Sequence, residues 1–379
     1  MSKVEGTDLS NWRTPPYNQW AFRNVGKLIA TETIGSAKQA ESLNSSPQSF
    51  DGFKVQLGQG QPLDLSAFID HTSTDAIIVL HKGNVVFEKY GNGNDEKSKH
   101  IMMSMTKSIT GLVAGILAER GQLDVNATVS KYVPEVEGTP YEGRTVRHLL
   151  DMRSGIKHDD QSHAYRMAMG WEPVHEDEQP SDLEKFIRDL QAPGSKPPGG
   201  PFEYVSVNTD LCGWVIERAT GKKLAELISE HIWQPMGAES DAIITVDSAG
   251  HGRAAGGMCA TVRDLARVGQ MIIDGKIVPG SWIDDIIASS EDNREVFGAS
   301  PWAGMYEGTF EHVAYRTFWV ADSEQRVMVA LGIFGQTLVV DTVNGIVMAK
   351  FSSQGANTDF RKMILHTLAF QEFRRILLS

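Results

Sequence analysis

Residues 100–109 read His100-Ile101-Met102-Met103-Ser104-Met105-Thr106-Lys107-Ser108-Ile109. Apolar residues then recur at helical spacing, at Ile109, Leu112, Val113, Ile116 and Leu117, before Gly121 marks a helix end. This spacing predicts a helix that begins near the serine and buries one face. Positions three apart share a helix face, so Ser104 and Lys107 are expected to point the same way.

The pair has a specific chemical use at that position. Both residues fall in the first helical turn, where unpaired backbone N–H groups and the helix dipole create a positive field. Together with burial, that field lowers a lysine pKa, so a neutral amine or a phenolate partner can exist near pH 7. A serine hydroxyl is a weak nucleophile until a base lies beside it. We therefore predict Ser104 as a nucleophile and Lys107 as its base or the group that tunes its base.

Two other interpretations of the serine stay open. A serine before an apolar helix is most often only an N-cap. The short Ser-x-x-Lys pattern also occurs at Ser154 and Lys157, but Gly155 follows that serine at once and no helical stripe comes after it. The sequence therefore favours Ser104 over Ser154.

The composition is that of a soluble globular protein. The chain has 379 residues, 41% hydrophobic and 22% charged, which indicates two domains or one two-lobed unit. A formal net charge of −12 argues against nucleic acid or an anionic membrane as the main partner. The two cysteines, Cys212 and Cys259, are expected to be reduced thiols. No secretory signal and no apolar run of about 18 residues is seen, so we expect a cytoplasmic protein.

The order of predicted elements indicates how the domains are arranged. Residues 75–80 and 85–90 read as a hairpin, residues 124–285 are rich in helices and loops, and residues 314–320, 327–333, 338–342 and 346–351 read as strands before a helix at 360–377. Strands at both ends with helices between them predict a discontinuous α/β domain, residues 1–123 and 286–379, with an N-terminal arm. Residues 124–285 form the predicted helical domain.

Two further stretches carry candidate chemistry. Tyr204 lies on a loop just before a buried helix, where its hydroxyl could relay a proton. Because tyrosine titrates near pH 10, it needs a neighbouring cation to act as a base, and Lys107 would supply it. Gly332 lies within an apolar strand, which indicates close approach of a ligand or of another backbone. That strand could donate a backbone N–H to an oxyanion together with the Ser104 N–H. A packed aromatic and a simple bulge are the alternatives.

Taken together, Ser104-Met105-Thr106-Lys107, Tyr204-Val205-Ser206 and the glycine-containing strand resemble the serine β-lactamase and penicillin-binding-protein superfamily. The chain is most similar to its class-C-related esterases and 6-aminohexanoate-dimer hydrolases, with matching blocks at 12–22, 100–121, 129–135, 149–155, 217–221 and 261–269. The resemblance implies a β-lactamase/transpeptidase-like fold, with an antiparallel sheet flanked by helices, an inserted helical domain and the active site between them.

The resemblance also implies roles for individual residues. Ser104 is expected to be the nucleophile, Lys107 its partner and Tyr204 the proton relay. The backbone N–H groups of Ser104 and Ile333 would bind the oxyanion. Ser206, Trp319 and Gly332 are the substrate-binding residues that the resemblance implies.

Departures from the family pattern bear on the substrate. No Lys/His-Thr-Gly triplet occurs, so the cation that usually binds a β-lactam carboxylate is missing. Asp159-Asp160-Gln161 stands where the oligoamide hydrolases present a tyrosine, and Ala254-Ala255-Gly256-Gly257 lacks an expected polar side chain. Amides need their departing nitrogen protonated, so losing such donors favours ester cleavage.

We therefore predict a serine hydrolase that forms an acyl-enzyme, most favourably a carboxylesterase acting on small esters. An amide hydrolase of short linear oligomers is the alternative, followed by a β-lactamase or DD-peptidase and by a non-catalytic binding protein. No metal or other cofactor is expected, because His-Glu-x-x-His, paired cysteines at ligand spacing and a complete dinucleotide fingerprint do not occur. The expected partners are a small-molecule ester or amide and, in a homodimer, a second copy of the chain, but neither nucleic acid nor a membrane.

Overall fold

The computed structural model describes residues 3–40 and 42–379, and a large antiparallel sheet forms its centre. The strands are β1 (Thr31–Ile34), β2 (Thr74–His81), β3 (Asn84–Tyr90), β4 (His100–Ile101), β5 (Ala242–Thr245), β6 (Met258–Ala260), β7 (Val313–Arg316), β8 (Trp319–Asp322), β9 (Val327–Gly332), β10 (Gln336–Asp341) and β11 (Ile346–Ser352). Seven of them form the large sheet in the order β3-β2-β11-β10-β9-β8-β7, and four form a small sheet in the order β1-β5-β6-β4. The large sheet is thus built from both ends of the chain, as predicted.

The helices cover this sheet and fill the middle of the chain. They are α1 (Asn18–Ala21), α2 (Leu65–His71), α3 (Met105–Glu119), α4 (Val146–Leu150), α5 (His163–Ala168), α6 (Leu183–Asp189), α7 (Ser206–Thr220), α8 (Leu224–Ile228), α9 (Val262–Asp274), α10 (Gly280–Ala288), α11 (Glu291–Gly298) and α12 (Phe360–Leu378). Among the residues that the structure describes, none of these helices has the length and apolar character that a membrane span requires.

The β2–β3 hairpin confirms the prediction made from its two β-rich runs. Lys82 and Gly83 connect the strands, and both have positive φ, at 50° and 80°. A two-residue connection with positive φ at both positions matches the twist of the paired strands. β2 is buried along almost its whole length because β3 and β11 flank it.

One predicted strand is wrong: residues 314–320 do not form a single extended segment. The chain reverses between β7 and β8, with Thr317 and Phe318 at φ 54° and 62°. The Asp151 carboxylate accepts a hydrogen bond from Thr317 N at 3.1 Å, and Phe318 N donates to Leu150 O at 3.0 Å. These contacts from α4 and the residue after it hold the turn, so the reversal depends on a part of the chain far away in sequence.

α9 shows that packing differs from the predicted domain boundary at residue 285. This helix lies in the segment predicted as helical domain, yet it packs on β2, β10 and β11. At Gly269 an added Cβ would lie 2.5 Å from the Val347 side chain, so glycine is what permits this close contact. The division into an α/β domain (residues 1–123 and 286–379) and a helical domain (residues 124–285) therefore stays a prediction. By its packing, α9 belongs with the sheet of the α/β domain.

α3 occupies the seam between the large sheet and the helical part. It contacts β9 and β10 on one side and α7 and α8 on the other. Every residue from Met105 to Leu117 is buried. Gly115 leaves room for the Trp282 indole, whose atoms would lie 2.4 Å from an added Cβ. The start of α3, with Ser104 just before it and Lys107 in its first turn, is consequently fixed where the large sheet meets the helical part.

Candidate active site

Ser104 precedes α3 but does not cap it. Its backbone is helical, at φ −64° and ψ −10°, and its side chain makes no capping hydrogen bond. The N-cap interpretation therefore does not account for this serine. Met103 before it has a left-handed φ of 48°, which is uncommon for such a side chain and costs conformational energy. The hydroxyl is left for another partner.

That partner is Lys107, one turn along the helix. Lys107 Nζ donates to Ser104 Oγ at 3.1 Å and to Ala255 O at 2.6 Å, and the lysine is 1% exposed. Burial, aided by the Arg253 charge, lowers the pKa of Lys107 to about 7. Near neutral pH a large fraction of this lysine is thus a free amine within hydrogen-bonding distance of a serine hydroxyl.

Tyr204 completes a three-residue cluster, since Lys107 Nζ lies 5.1 Å from the centroid of the Tyr204 ring. Burial raises the pKa of Tyr204 above its ordinary value, and a side-chain hydrogen bond with Ser104 lowers it by less. This direction favours the protonated phenol over the phenolate that the sequence predicts, and the roles of Lys107 and Tyr204 as base and proton relay stay predictions.

A buried ion pair behind Lys107 was not predicted. Asp210, in α7, pairs with Arg253 and accepts hydrogen bonds from Ala255 N at 2.9 Å and Tyr165 Oη at 2.6 Å. It thereby fixes the loop whose carbonyl, Ala255 O, receives a hydrogen bond from Lys107. The sequence signal available for it was an acidic residue, Asp210, just before the apolar centre of α7, Leu211 to Ile216.

The backbone around Gly332 and Ile333 packs close to the chain that leads into Ser104. An added Cβ at Gly332 would lie 2.6 Å from Met102 O and 3.0 Å from Met103 Cβ. β9 ends at Gly332, and Ile333 begins a short 3₁₀ turn in which Phe334 has φ 65°. Ser104, Gly332 and Ile333 line the same cavity, whose empty space is about 620 Å³ with the open solvent at its mouth included. The structure thus brings the predicted oxyanion residues to one place.

Two predicted substrate-binding residues do not line this cavity. Ser206 is the first residue of α7, and its N–H donates to both oxygens of Asp160, at 3.0 and 2.9 Å. Trp319 is fully buried and donates from Nε1 to Ser108 O at 3.2 Å. Its neighbours Phe318 and Val320 line the cavity instead. Adjacent positions of a strand face opposite sides, so Trp319 and Val320 point to different faces of β8, and a substrate-binding role for Trp319 stays a prediction.

The second Ser-x-x-Lys match has a different geometry. Ser154 is buried outside any helix and donates to Asn208 Oδ1 at 2.9 Å. Lys157 is exposed. This pair therefore does not place a free amine beside a hydroxyl.

Two clusters of side chains could offer three ligand atoms to a metal ion. They are His163, His175 and Glu178, and Asp182, Asp247 and His251. His163 already contacts a carboxylate through each ring nitrogen, Glu172 at 2.6 Å and Glu178 at 2.9 Å. Asp247 accepts three backbone hydrogen bonds, from Leu183, Ala249 and His251. Neither cluster includes a residue that lines the cavity with Ser104.

Comparisons with known proteins agree with this arrangement. A family model described as Beta-lactamase matches residues 65–371. The 6-aminohexanoate-dimer hydrolase of Paenarthrobacter ureafaciens is 32% identical over 359 residues, covering 91% of this chain and 88% of that protein. A solved structure from Bacillus anthracis, provisionally assigned as a 6-aminohexanoate-dimer hydrolase, has a TM-score of 0.86 at 26% identity, covering 99% of this chain and 98% of that one. The esterase EstB of Burkholderia gladioli is 30% identical over 159 residues, 38% of each protein.

These matches confirm the predicted family and fold class, and the relatives named above are hydrolases. The match to the family model covers most of the chain, and it includes both the Ser104–Lys107 turn and the strand that ends at Gly332. The chain therefore belongs to the beta-lactamase family and is a serine hydrolase.

Proposed function

We propose that the protein is a carboxylesterase in which Ser104 forms an acyl-enzyme. The observation that carries this proposal is the contact between Lys107 Nζ and Ser104 Oγ, in a setting that lowers the pKa of Lys107 to about 7. A general base is most effective when its pKa lies near the working pH. Lys107 then accepts the Ser104 proton as Oγ attacks the ester carbonyl.

Tyr204 acts as the proton donor in this scheme. As the tetrahedral intermediate collapses, the bond to the leaving oxygen breaks and that oxygen takes the Tyr204 proton, which the Lys107 ammonium then replaces. In deacylation a water molecule attacks the acyl carbonyl and gives a proton to Lys107; the bond from the acyl carbon to Ser104 Oγ then breaks, and Oγ takes the proton from the Lys107 ammonium. The backbone N–H groups of Ser104 and Ile333 are proposed to stabilise the oxyanion in both steps.

Hydrolysis of short linear amides is the second candidate. It is favoured by the similarity to the 6-aminohexanoate-dimer hydrolase of Paenarthrobacter ureafaciens, which covers most of both chains. The dimer named there is a linear amide with an ammonium at one end and a carboxylate at the other. Asp160 lies in the segment where the oligoamide hydrolases are expected to present a tyrosine donor. Its carboxylate accepts hydrogen bonds from the Ser206 N–H. A carboxylate in this place does not supply the donor that an amide leaving group needs, so the arrangement favours esters. The predicted cytoplasmic location and homodimer stay predictions.

Hydrolysis of p-nitrophenyl acetate by the wild type and by Ser104→Ala tests the proposal. Loss of the nucleophile is expected to lower kcat by at least about 10³-fold. Ser154→Ala is the matched control, because it removes a serine from the second Ser-x-x-Lys pattern, and its rate should stay within about threefold of wild type. Equal rates for wild type and Ser104→Ala would exclude the acyl-enzyme. A fluorophosphonate label on a residue other than Ser104 would move the nucleophile elsewhere.

A further inference from the structure

The cavity beside Ser104 has an unusually uniform lining. None of the seventeen described residues around its roughly 620 Å³ carries a charge. Seven are aromatic and six are aliphatic or thioether side chains, so the polar side-chain groups are those of two serines, one threonine, the tyrosine hydroxyls and the Trp302 indole N–H.

The aromatic walls pack against one another. The Tyr204 ring lies 5.1 Å from the Trp302 ring, and the Phe202 ring lies 4.8 Å from Tyr315 and 5.1 Å from Phe297. Aromatic pairs at these separations are mutually stabilising. The walls are therefore formed before any substrate arrives, and an apolar guest needs little rearrangement to enter.

The nucleophile fixes which part of a substrate enters this space. Ser104 lines the cavity together with Gly332 and Ile333, so the reacting carbonyl lies at its edge. A group attached to that carbonyl must then extend along the apolar walls. Each methylene buried there is worth about fourfold in binding, whereas a buried charge without a partner is strongly unfavourable.

We propose that the site is selective for uncharged esters that place a branched-alkyl or aryl group in this cavity, and that it rejects esters and amides with charged ends. This inference rests on the proposed esterase function, because the selectivity is measured as a difference in ester hydrolysis. The esterase function is argued from the nucleophile, whereas the substrate class is argued from the residues that line the cavity. It also separates this chain from hydrolases of zwitterionic linear amides.

Two matched ester pairs test the selectivity on wild-type protein. In the acyl series, p-nitrophenyl 6-methylheptanoate is compared with mono-p-nitrophenyl adipate, which replaces the terminal isopropyl group by a carboxylate. In the alcohol series, 6-methylheptyl acetate is compared with 6-acetoxyhexanoate. We expect kcat/KM to favour the neutral member by at least about 100-fold in one series, and the series that responds shows which side of the ester fills the cavity. Ratios below about threefold in both series would overturn the proposal.

Binding to Ser104→Ala separates this inference from the catalytic one. The intact acetate pair is titrated by tryptophan fluorescence, since Trp302 lines the cavity. A Kd at least tenfold lower for 6-methylheptyl acetate supports the selectivity even if the wild type hydrolyses neither ester. Equal affinities for the two acetates would show that the alcohol group of the ester does not fill the cavity. If the two acyl-series esters also had kcat/KM values within about threefold of each other, the proposal would be overturned.

A charge placed in the cavity lining should alter the selectivity. Thr358 lines the cavity and is only partly buried, so it tolerates a longer side chain. Thr358→Lys is compared with Thr358→Met, which has similar length and no charge. In the ester series that discriminates, we expect Thr358→Lys to lower the kcat/KM ratio of the neutral to the charged ester at least fivefold relative to Thr358→Met. An unchanged preference would show that the lining does not discriminate by charge.

Discussion

Two buried lysines of this protein have closely similar chemistry and very different surroundings. Lys107 contacts Ser104 Oγ, and Lys350, in β11, contacts Ser352 Oγ. Burial is the main cause in each case, and it lowers the pKa of both lysines to about 7. Both sites therefore hold a serine hydroxyl beside an amine that is partly neutral near pH 7.

Access distinguishes the two pairs. Ser104 lines the apolar cavity, whereas Ser352 is the last residue of β11 in the large sheet and is completely buried. Lys350 Nζ lies 3.4 Å from His366 Nε2, and His366 Nδ1 contacts Thr337 Oγ1 at 2.8 Å, so its neighbours form a closed polar network. A tuned amine is thus insufficient for catalysis. The hydroxyl must also face a space that holds a carbonyl and oxyanion donors.

Replacing each lysine by methionine should give the largest contrast. Lys107→Met removes the proposed base and is expected to lower kcat for p-nitrophenyl acetate by about 10²–10⁴-fold. Lys350→Met changes a comparably buried amine away from the cavity, and its kcat should stay within about threefold of wild type. Circular dichroism of both variants checks that the fold is kept. Equal losses in the two folded variants would show that the distinction based on access is wrong.

The pH dependence of the rate should sharpen the comparison. The proposed base works in its neutral form, so kcat/KM should rise about tenfold per pH unit below pH 7 and level off above it. Lys350→Met should leave the midpoint of this rise unchanged, because Lys350 does not line the cavity. A rate profile is measured from pH 5 to 9 with a neutral ester. A rise centred near pH 10 would instead assign the base to a group of ordinary lysine or tyrosine pKa.

The smallest expected effect concerns stability. The pKa of Lys350 is about 7 in the fold and 10.5 in its ordinary state, so between these values the unfolded chain binds a proton that the fold does not. The free energy of unfolding should therefore rise with pH in this window, by up to about 1.4 kcal/mol per pH unit from this lysine. Lys350→Met should remove that share of the slope. Urea melts at pH 7, 8 and 9 measure it, and parallel slopes for the two proteins would contradict the lowered pKa.

Local patterns predicted those parts of the fold that depend on neighbouring residues. The β2–β3 hairpin and α3 follow from alternation, turn residues and helical spacing close together in the chain. The Ser104–Lys107 contact is likewise local, because one helical turn separates the two side chains. Tyr204 lies about a hundred residues further on, and only the family resemblance placed it beside them.

The rest depended on packing that no short stretch encodes. Ala255 accepts a hydrogen bond from Lys107 through its carbonyl and donates one through its N–H to Asp210, 45 residues away in the chain. The turn at Thr317 and Phe318 is held by hydrogen bonds to α4 and to the residue after it. The local strand pattern contains no sign of these contacts and therefore predicted one continuous strand. At Trp319 a shift of one position moves a side chain to the other face of the strand, so alignment alone does not decide which residue of this stretch lines the cavity.

The close approach at Gly332 has a consequence for how this enzyme can change. A single added methyl group there would lie 2.6 Å from Met102 O, so the strand would have to move away from the residues that lead into Ser104. The two amides proposed to hold the oxyanion would then separate. Alanine scanning usually measures the loss of activity when side-chain atoms are removed. At this position it would measure the loss of activity caused by one added carbon. Libraries that vary the cavity for new substrates should therefore keep residue 332 fixed.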